Sequence, residues 1–114
     1  MAKKAFPARF FQQSGGAEPV RDWLLDLSPT DRKAIGFDIK TAEIGWPIGM
    51  PLCRSLGGGL WEIRTNLSDS RISRVLFCAF DGNMVLLHGF IKKSQKTPKP
   101  DLDLAKRRMK GLQV

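Results

Sequence analysis

Three short runs hold the side chains able to do chemistry. In Leu60-Trp61-Glu62-Ile63-Arg64 a period of two sends Trp61 and Ile63 to one face of a strand and Glu62 and Arg64 to the other. Arg74 stands just before the apolar run Val75-Leu76-Phe77. A third run ends His88-Gly89-Phe90-Ile91-Lys92-Lys93, with His88, Phe90 and Lys92 in phase. Laid side by side as antiparallel strands, the runs bring two guanidinium groups, an imidazole, an aromatic ring and several ammonium groups onto one exposed surface. That set suits phosphate binding with a stacking platform, a common build of RNA-binding sites. Histidine is the side-chain type best placed to move protons near neutral pH, which makes His88 the candidate for proton transfer. Glu62 is a second possible base, and a lysine crowded by other cations a possible acid. Singly, each residue has a plainer reading: Arg64 as the partner of Glu62, Arg74 as an edge charge, His88 as a hydrogen-bonded half-buried ring, Phe90 as core, and Lys92 to Lys99 as a solvated loop. Only their convergence favours the chemical reading.

Other chemistries lack their parts. There is one histidine and no Cys/His cluster for zinc, and the carboxylates are scattered rather than grouped for a two-metal site. Gly57-Gly58-Gly59 is not followed by Lys-Ser/Thr, so it reads as a tight turn and not a nucleotide loop. No metal and no cofactor is expected. Cys53 and Cys78 sit singly among apolar neighbours and read as buried free thiols.

The elements that must position these residues follow from spacing. Ala5 to Gln13 reads as an opening strand ended by Ser14-Gly15-Gly16. Pro19 starts a short amphipathic helix through Val20, Trp23, Leu24 and Leu27. Ser28-Pro29, with Asp31 in the first turn, starts a second helix striped by Ile35, Ile39, Ala42 and Trp46 and closed by Gly45 and Pro47. Joined by almost no loop, the two should form a hairpin. Leu60 to Leu67, Arg71 to Phe80 and Met84 to Ile91 read as strands, with Leu52 to Leu56 as a possible fourth. Asp81-Gly82-Asn83 and Ser68-Asp69-Ser70 are turn signals, so the strands form an antiparallel meander. From Asp101 to Leu112 a last helix places Leu102, Ala105, Met109 and Leu112 on one face and Lys106, Arg107, Arg108 and Lys110 on the other. The order predicts a single α+β domain over 1–114, with helices packed on an antiparallel sheet.

Charge narrows the partners. The chain of 114 residues carries +8, and +6 of that lies from Phe90 onward, where Lys92, Lys93, Lys96, Lys99, Lys106, Arg107, Arg108 and Lys110 outnumber Asp101 and Asp103. A field concentrated in this way favours a polyanion or an acidic protein. No apolar run reaches the ~18 residues of a membrane span, and no apolar stretch follows the basic Met1-Ala2-Lys3-Lys4 start, so a cytoplasmic location is expected.

Gly59-Leu60-Trp61-Glu62-Ile63-Arg64, then Arg74-Val75-Leu76-Phe77, then Leu86-Leu87-His88-Gly89-Phe90-Ile91-Lys92-Lys93-Ser94-Gln95-Lys96-Thr97-Pro98 resemble the phage-derived, HigB-like branch of the RelE/ParE toxin superfamily. The last block is the specific one, and the likeness runs from about Phe6 to Leu112. The element order above is that superfamily's layout. The resemblance implies the toxin of a type II toxin–antitoxin pair, one that enters the ribosomal A site and cuts mRNA without a metal ion. Carried over, Arg64 matches a basic residue on the middle strand of the active site, Arg74 the arginine that starts the next strand, and Lys92 or Lys93 the basic position after the last strand. His88 and Lys96 belong to this branch's own motif. The tyrosine or C-terminal histidine of several relatives has no counterpart, because the chain has no Tyr and ends Gly111-Leu112-Gln113-Val114. The catalytic candidates are therefore Arg64, Arg74, His88 and Lys92, and the RNA-binding candidates Lys93, Lys96, Phe90, Lys99 and Arg107. The implied partners are mRNA, the ribosome and a small helix-turn-helix antitoxin. The toxin alone is expected as a monomer, and with its antitoxin as a hetero-oligomer. The competing readings are a ParE-like gyrase inhibitor without catalysis and an inactive nucleic-acid-binding prophage remnant.

Overall fold

Ser28 caps the second helix as its place before Pro29 predicts: its hydroxyl accepts a hydrogen bond from the Asp31 amide at 3.2 Å. This computed structural model describes residues 6–93 and 96–112. Ala5 of the expected first strand and Ser94 and Gln95 of the motif lie outside them. Helix α1 runs Pro19–Asp26 and α2 runs Pro29–Gly45, both starting on proline. The strands are β1 (Ala8–Phe10), β2 (Cys53–Gly57), β3 (Leu60–Asn66), β4 (Ile72–Phe80) and β5 (Asn83–Lys92), followed by α3 (Lys99–Gly111). They form one five-stranded sheet in the order β1-β5-β4-β3-β2.

From β2 to β5 the sheet is the expected antiparallel meander. Asp81 (φ 52°) and Gly82 (φ 76°) make the β4–β5 turn, the left-handed pair that suits a two-residue hairpin. The first strand departs from expectation in length and direction. It has only three residues and runs parallel to β5 at the sheet margin. Glu43 of α2 helps hold it there, accepting from the Ala8 amide at 2.7 Å.

Helices cover both faces. On one, Val20, Ile35, Ile39 and Ala42 of α1 and α2 pack with Ile63, Val75, Phe77, Met84 and Leu86. On the other, Leu102, Ala105 and Met109 of α3 pack with Leu60, Leu76, Cys78, Val85, Leu87 and Phe90. Each fully buried aliphatic side chain contributes about 1.5–3 kcal/mol relative to exposure. Arg71, beside the β3–β4 turn, clips that turn to α2 with two hydrogen bonds to Asp31 at 2.8 and 3.0 Å, holding the Asp31 carboxyl below its usual range. Both cysteines are buried thiols, and burial, with Asp38 adding to it, pushes Cys53 up to about 11.

Gly89 marks where α1 meets the sheet. A Cβ there would lie 2.4 Å from Cζ3 and 2.5 Å from Cε3 of Trp23. An indole is rigid and cannot yield as a flexible chain end would. Gly89→Ala is expected to lose about 1–3 kcal/mol of stability, the usual cost of overpacking, read as a fall in urea midpoint at unchanged slope.

Candidate functional site

Strand register builds the site in rows across the face under α3. One row runs Arg54, Glu62, Leu76, His88 from β2 to β5, and the next runs Arg64, Arg74, Phe90 from β3 to β5. Lys92 sits one row further, opposite Ile72. His88 reaches this face because of a bulge: Leu76 pairs with His88 but Phe77 with Leu86, leaving Leu87 as an extra residue on β5. Leu87 and His88 therefore both turn toward α3, a re-aiming that bulges commonly provide. The guanidinium of Arg108 takes the bulge carbonyl, donating from Nη1 to the Leu87 oxygen at 2.7 Å.

At the centre of the face lies a buried ion pair. Glu62 and Arg74 are both 0% exposed, with Arg74 Nε 3.7 Å from Glu62 Oε2. Thr97, just before α3, donates to the same Oε2 at 2.7 Å. From β2, Arg54 brings Nη1 to 3.9 Å from Glu62 Oε1 while staying open to solvent. Burial lowers the Arg74 guanidinium's proton affinity, Glu62 opposes that, and Arg64 and Arg54 add to the depression. Two arginines, Arg54 and Arg74, thus flank one carboxylate, and Arg64 stands across from Arg74. Arg64 is half-buried and makes no side-chain hydrogen bond or ion pair among the described residues. It borders a cavity of about 280 Å³ with Asp38, Pro51, Leu52 and Asn66.

Beside this cluster, His88 donates from Nε2 to the Asp101 carboxylate, at 2.7 Å from Oδ1. The second Asp101 oxygen faces Lys92 Nζ at 3.5 Å. The His88 ring stacks on Phe90 with centroids 5.6 Å apart, and Lys92 Nζ lies 5.9 Å from the Phe90 centroid.

Of the expected residues Arg64, Arg74, His88, Phe90 and Lys92 share one face, but not one exposed surface. Arg74 lies wholly inside, against Glu62, and cannot touch a substrate in this arrangement. Glu62 is shielded in the same way, which argues against it as a base. Phe90 is 7% exposed, packs in the core under α3 and is flanked by His88 and Lys92, so it offers no platform for a base. Lys99 points to solvent and pairs with Asp103 at 3.0 Å. Arg107 lies at the far end of α3, bordering a cavity of about 440 Å³ with Phe11, Gln13 and Leu104. Arg108, expected on the solvent face, turns inward over Phe11, and burial lowers its proton affinity. Lys93, directly after β5, and Lys96, directly before Thr97, are exposed. Sequence reading missed Arg54 and Asp101. For Asp101 no local signal existed, since its partner lies 13 residues away; for Arg54 the signal was its place opposite Glu62 in a β2–β3 hairpin.

Among the described residues no group of three or more His, Cys, Asp or Glu side chains is arranged to hold a metal ion. No described helix is long and apolar enough to cross a membrane. A mixed α+β architecture with a five-stranded sheet and a C-terminal helix is compatible with the RelE-like fold. The chain matches the phage-derived Gp49-like family over residues 22–110, and it belongs to that family, which is RelE/HigB-like. No curated protein matches it.

Proposed function

We propose that this chain is the toxin of a type II toxin–antitoxin pair and cleaves mRNA on the ribosome without a metal ion. The observation that carries this reading is the convergence of Arg54, Arg64 and Arg74 on one face beside the His88–Asp101 pair and Lys92. Membership of a RelE/HigB-like family supports it. In metal-free cleavage the RNA 2′-hydroxyl attacks the neighbouring phosphorus and the bond to the 5′ oxygen breaks. A 2′,3′-cyclic phosphate and a 5′-hydroxyl result, with one proton removed and one supplied. Arg64 and Lys92 are the cations near solvent that stabilise charge growing on the phosphate, with Arg54 at the rim. Arg74 adds fixed positive potential from beneath and keeps Glu62 in place. His88 moves a proton through the nitrogen that Asp101 does not hold. Exposed Lys93 and Lys96 extend the positive surface along the RNA, and Lys106, Arg107 and Lys110 extend it along α3. An acidic antitoxin is the partner such a surface favours.

Controlled expression of the wild type and of an Arg64→Ala/His88→Ala variant, with mapping of mRNA 5′ ends, tests the reading. Cuts inside translated frames, absent in the variant, are expected. Arrest of growth with intact mRNA would overturn the reading in favour of a gyrase poison, and no arrest would leave an inactive remnant. Arg74 is left alone in this test because loss of one partner of a buried ion pair is expected to disturb the fold.

A further inference from the structure

Helix α3 does more at His88 than pack. Its apolar face, Leu102, Ala105 and Met109, already seats it on the sheet. Asp101, in its first turn, nevertheless spends one carboxylate oxygen on the imidazole at 2.7 Å in a half-buried setting. Phe90 fixes the plane of the same ring by stacking at an interplanar angle of 29°. Arg108, seven residues on from Asp101, holds the carbonyl of the residue just before His88. Backbone, ring plane and one ring nitrogen are therefore all fixed, while Nδ1 has no hydrogen-bond partner among the described residues. A carboxylate can only accept, so it selects the tautomer with the proton on Nε2 and leaves the Nδ1 lone pair for work.

We propose that Asp101 is a positioning residue for His88, fixing the imidazole tautomer so that Nδ1 is the nitrogen that exchanges protons with the RNA. This rests on the endonuclease reading of the same site. Asn at 101 keeps the shape but can donate to Nε2, which favours the opposite tautomer; such a swap of tautomer is strongly damaging in the catalytic triads that use the same pairing.

Because the chain has one histidine, nitrogen NMR of the labelled full-length protein reads this ring without ambiguity. Wild type is expected to show neutral imidazole protonated on Nε2, and Asp101→Asn to shift it toward Nδ1–H. RNA cleavage by Asp101→Asn is expected to fall on the order of 10²-fold or more, with RNA affinity changed less than about 3-fold. Asp101→Ser, which also suits a first helical turn, is the second variant and is expected to lose cleavage similarly. An unchanged tautomer in both variants would overturn the proposal. So would cleavage that stays level or rises, since Asp101 would then be a tether or an occupant of the phosphate position. Wild-type protein that cuts no mRNA would sink the endonuclease reading alone, and the tautomer measurement would still decide whether Asp101 sets the ring.

Discussion

Glu62→Met is expected to cost about 3–5 kcal/mol of folding stability, the usual result of breaking a fully buried ion pair from one side. The change removes the carboxylate from Arg74, a guanidinium with no exposed surface, and from the Thr97 hydroxyl that donates to it. Arg64 and Arg54 then repel Arg74 without the Glu62 charge to offset them. Joint replacement behaves differently. Glu62→Met/Arg74→Met exchanges the pair for apolar chains of similar length, and such exchanges are often neutral or stabilising. Urea unfolding of the two single variants and the double one should therefore show a large coupling, the double variant recovering most of what Glu62→Met loses. A single variant within about 1 kcal/mol of wild type would mean that water reaches the pair and that Arg74 is not held as described. The outcome also bears on function: an Arg74 variant that loses toxicity says nothing about catalysis until its stability is known.

Arg74 illustrates where sequence reading ends. Period two put Glu62 and Arg64 on the face opposite Trp61 and Ile63, as observed, and Arg74 joins them there by pairing with Arg64 across β3 and β4. Period two fixes a face; it does not say what will cover it. Here α3 and the segment carrying Thr97 do so, turning an expected open surface into a site with a buried centre. Helix starts were legible because Ser28, Pro19 and Pro29 act within one turn. The parallel pairing of β1 was not, because it joins residues more than seventy positions apart with no local signature. His88 reached the expected face for a reason the spacing did not contain. On an unbroken β5, Val85 and Leu87 would share one face and His88 would take the other; the extra residue at Leu87 lets all three face α3. Asp101 was legible only as a charge in a helical first turn, and its contact with His88 depends on how α3 docks.

Arg64 should show the opposite balance to Glu62, gaining stability and losing activity when replaced. It stands directly across from Arg74 on the neighbouring strand, and like charges placed opposite destabilise a sheet by a few tenths to about 1 kcal/mol. Burial chiefly, and the Arg64 charge in part, lower the proton affinity of Arg74. No described side chain compensates it. A residue that only costs the fold is explained if the positive charge is used on a substrate, the trade-off common at active sites. Arg64→Thr, a residue suited to a strand, is therefore expected to raise the urea midpoint and, on the proposed endonuclease reading, to cut RNA cleavage on the order of 10²-fold or more, the scale for one preorganised charge contact. Both halves are read on the same purified protein. Loss of stability together with activity would make Arg64 a packing residue. Gain of stability with cleavage intact would shift the transition-state cation to Lys92 and Arg54, positive groups open to solvent that share Asp101 with His88 and flank Glu62.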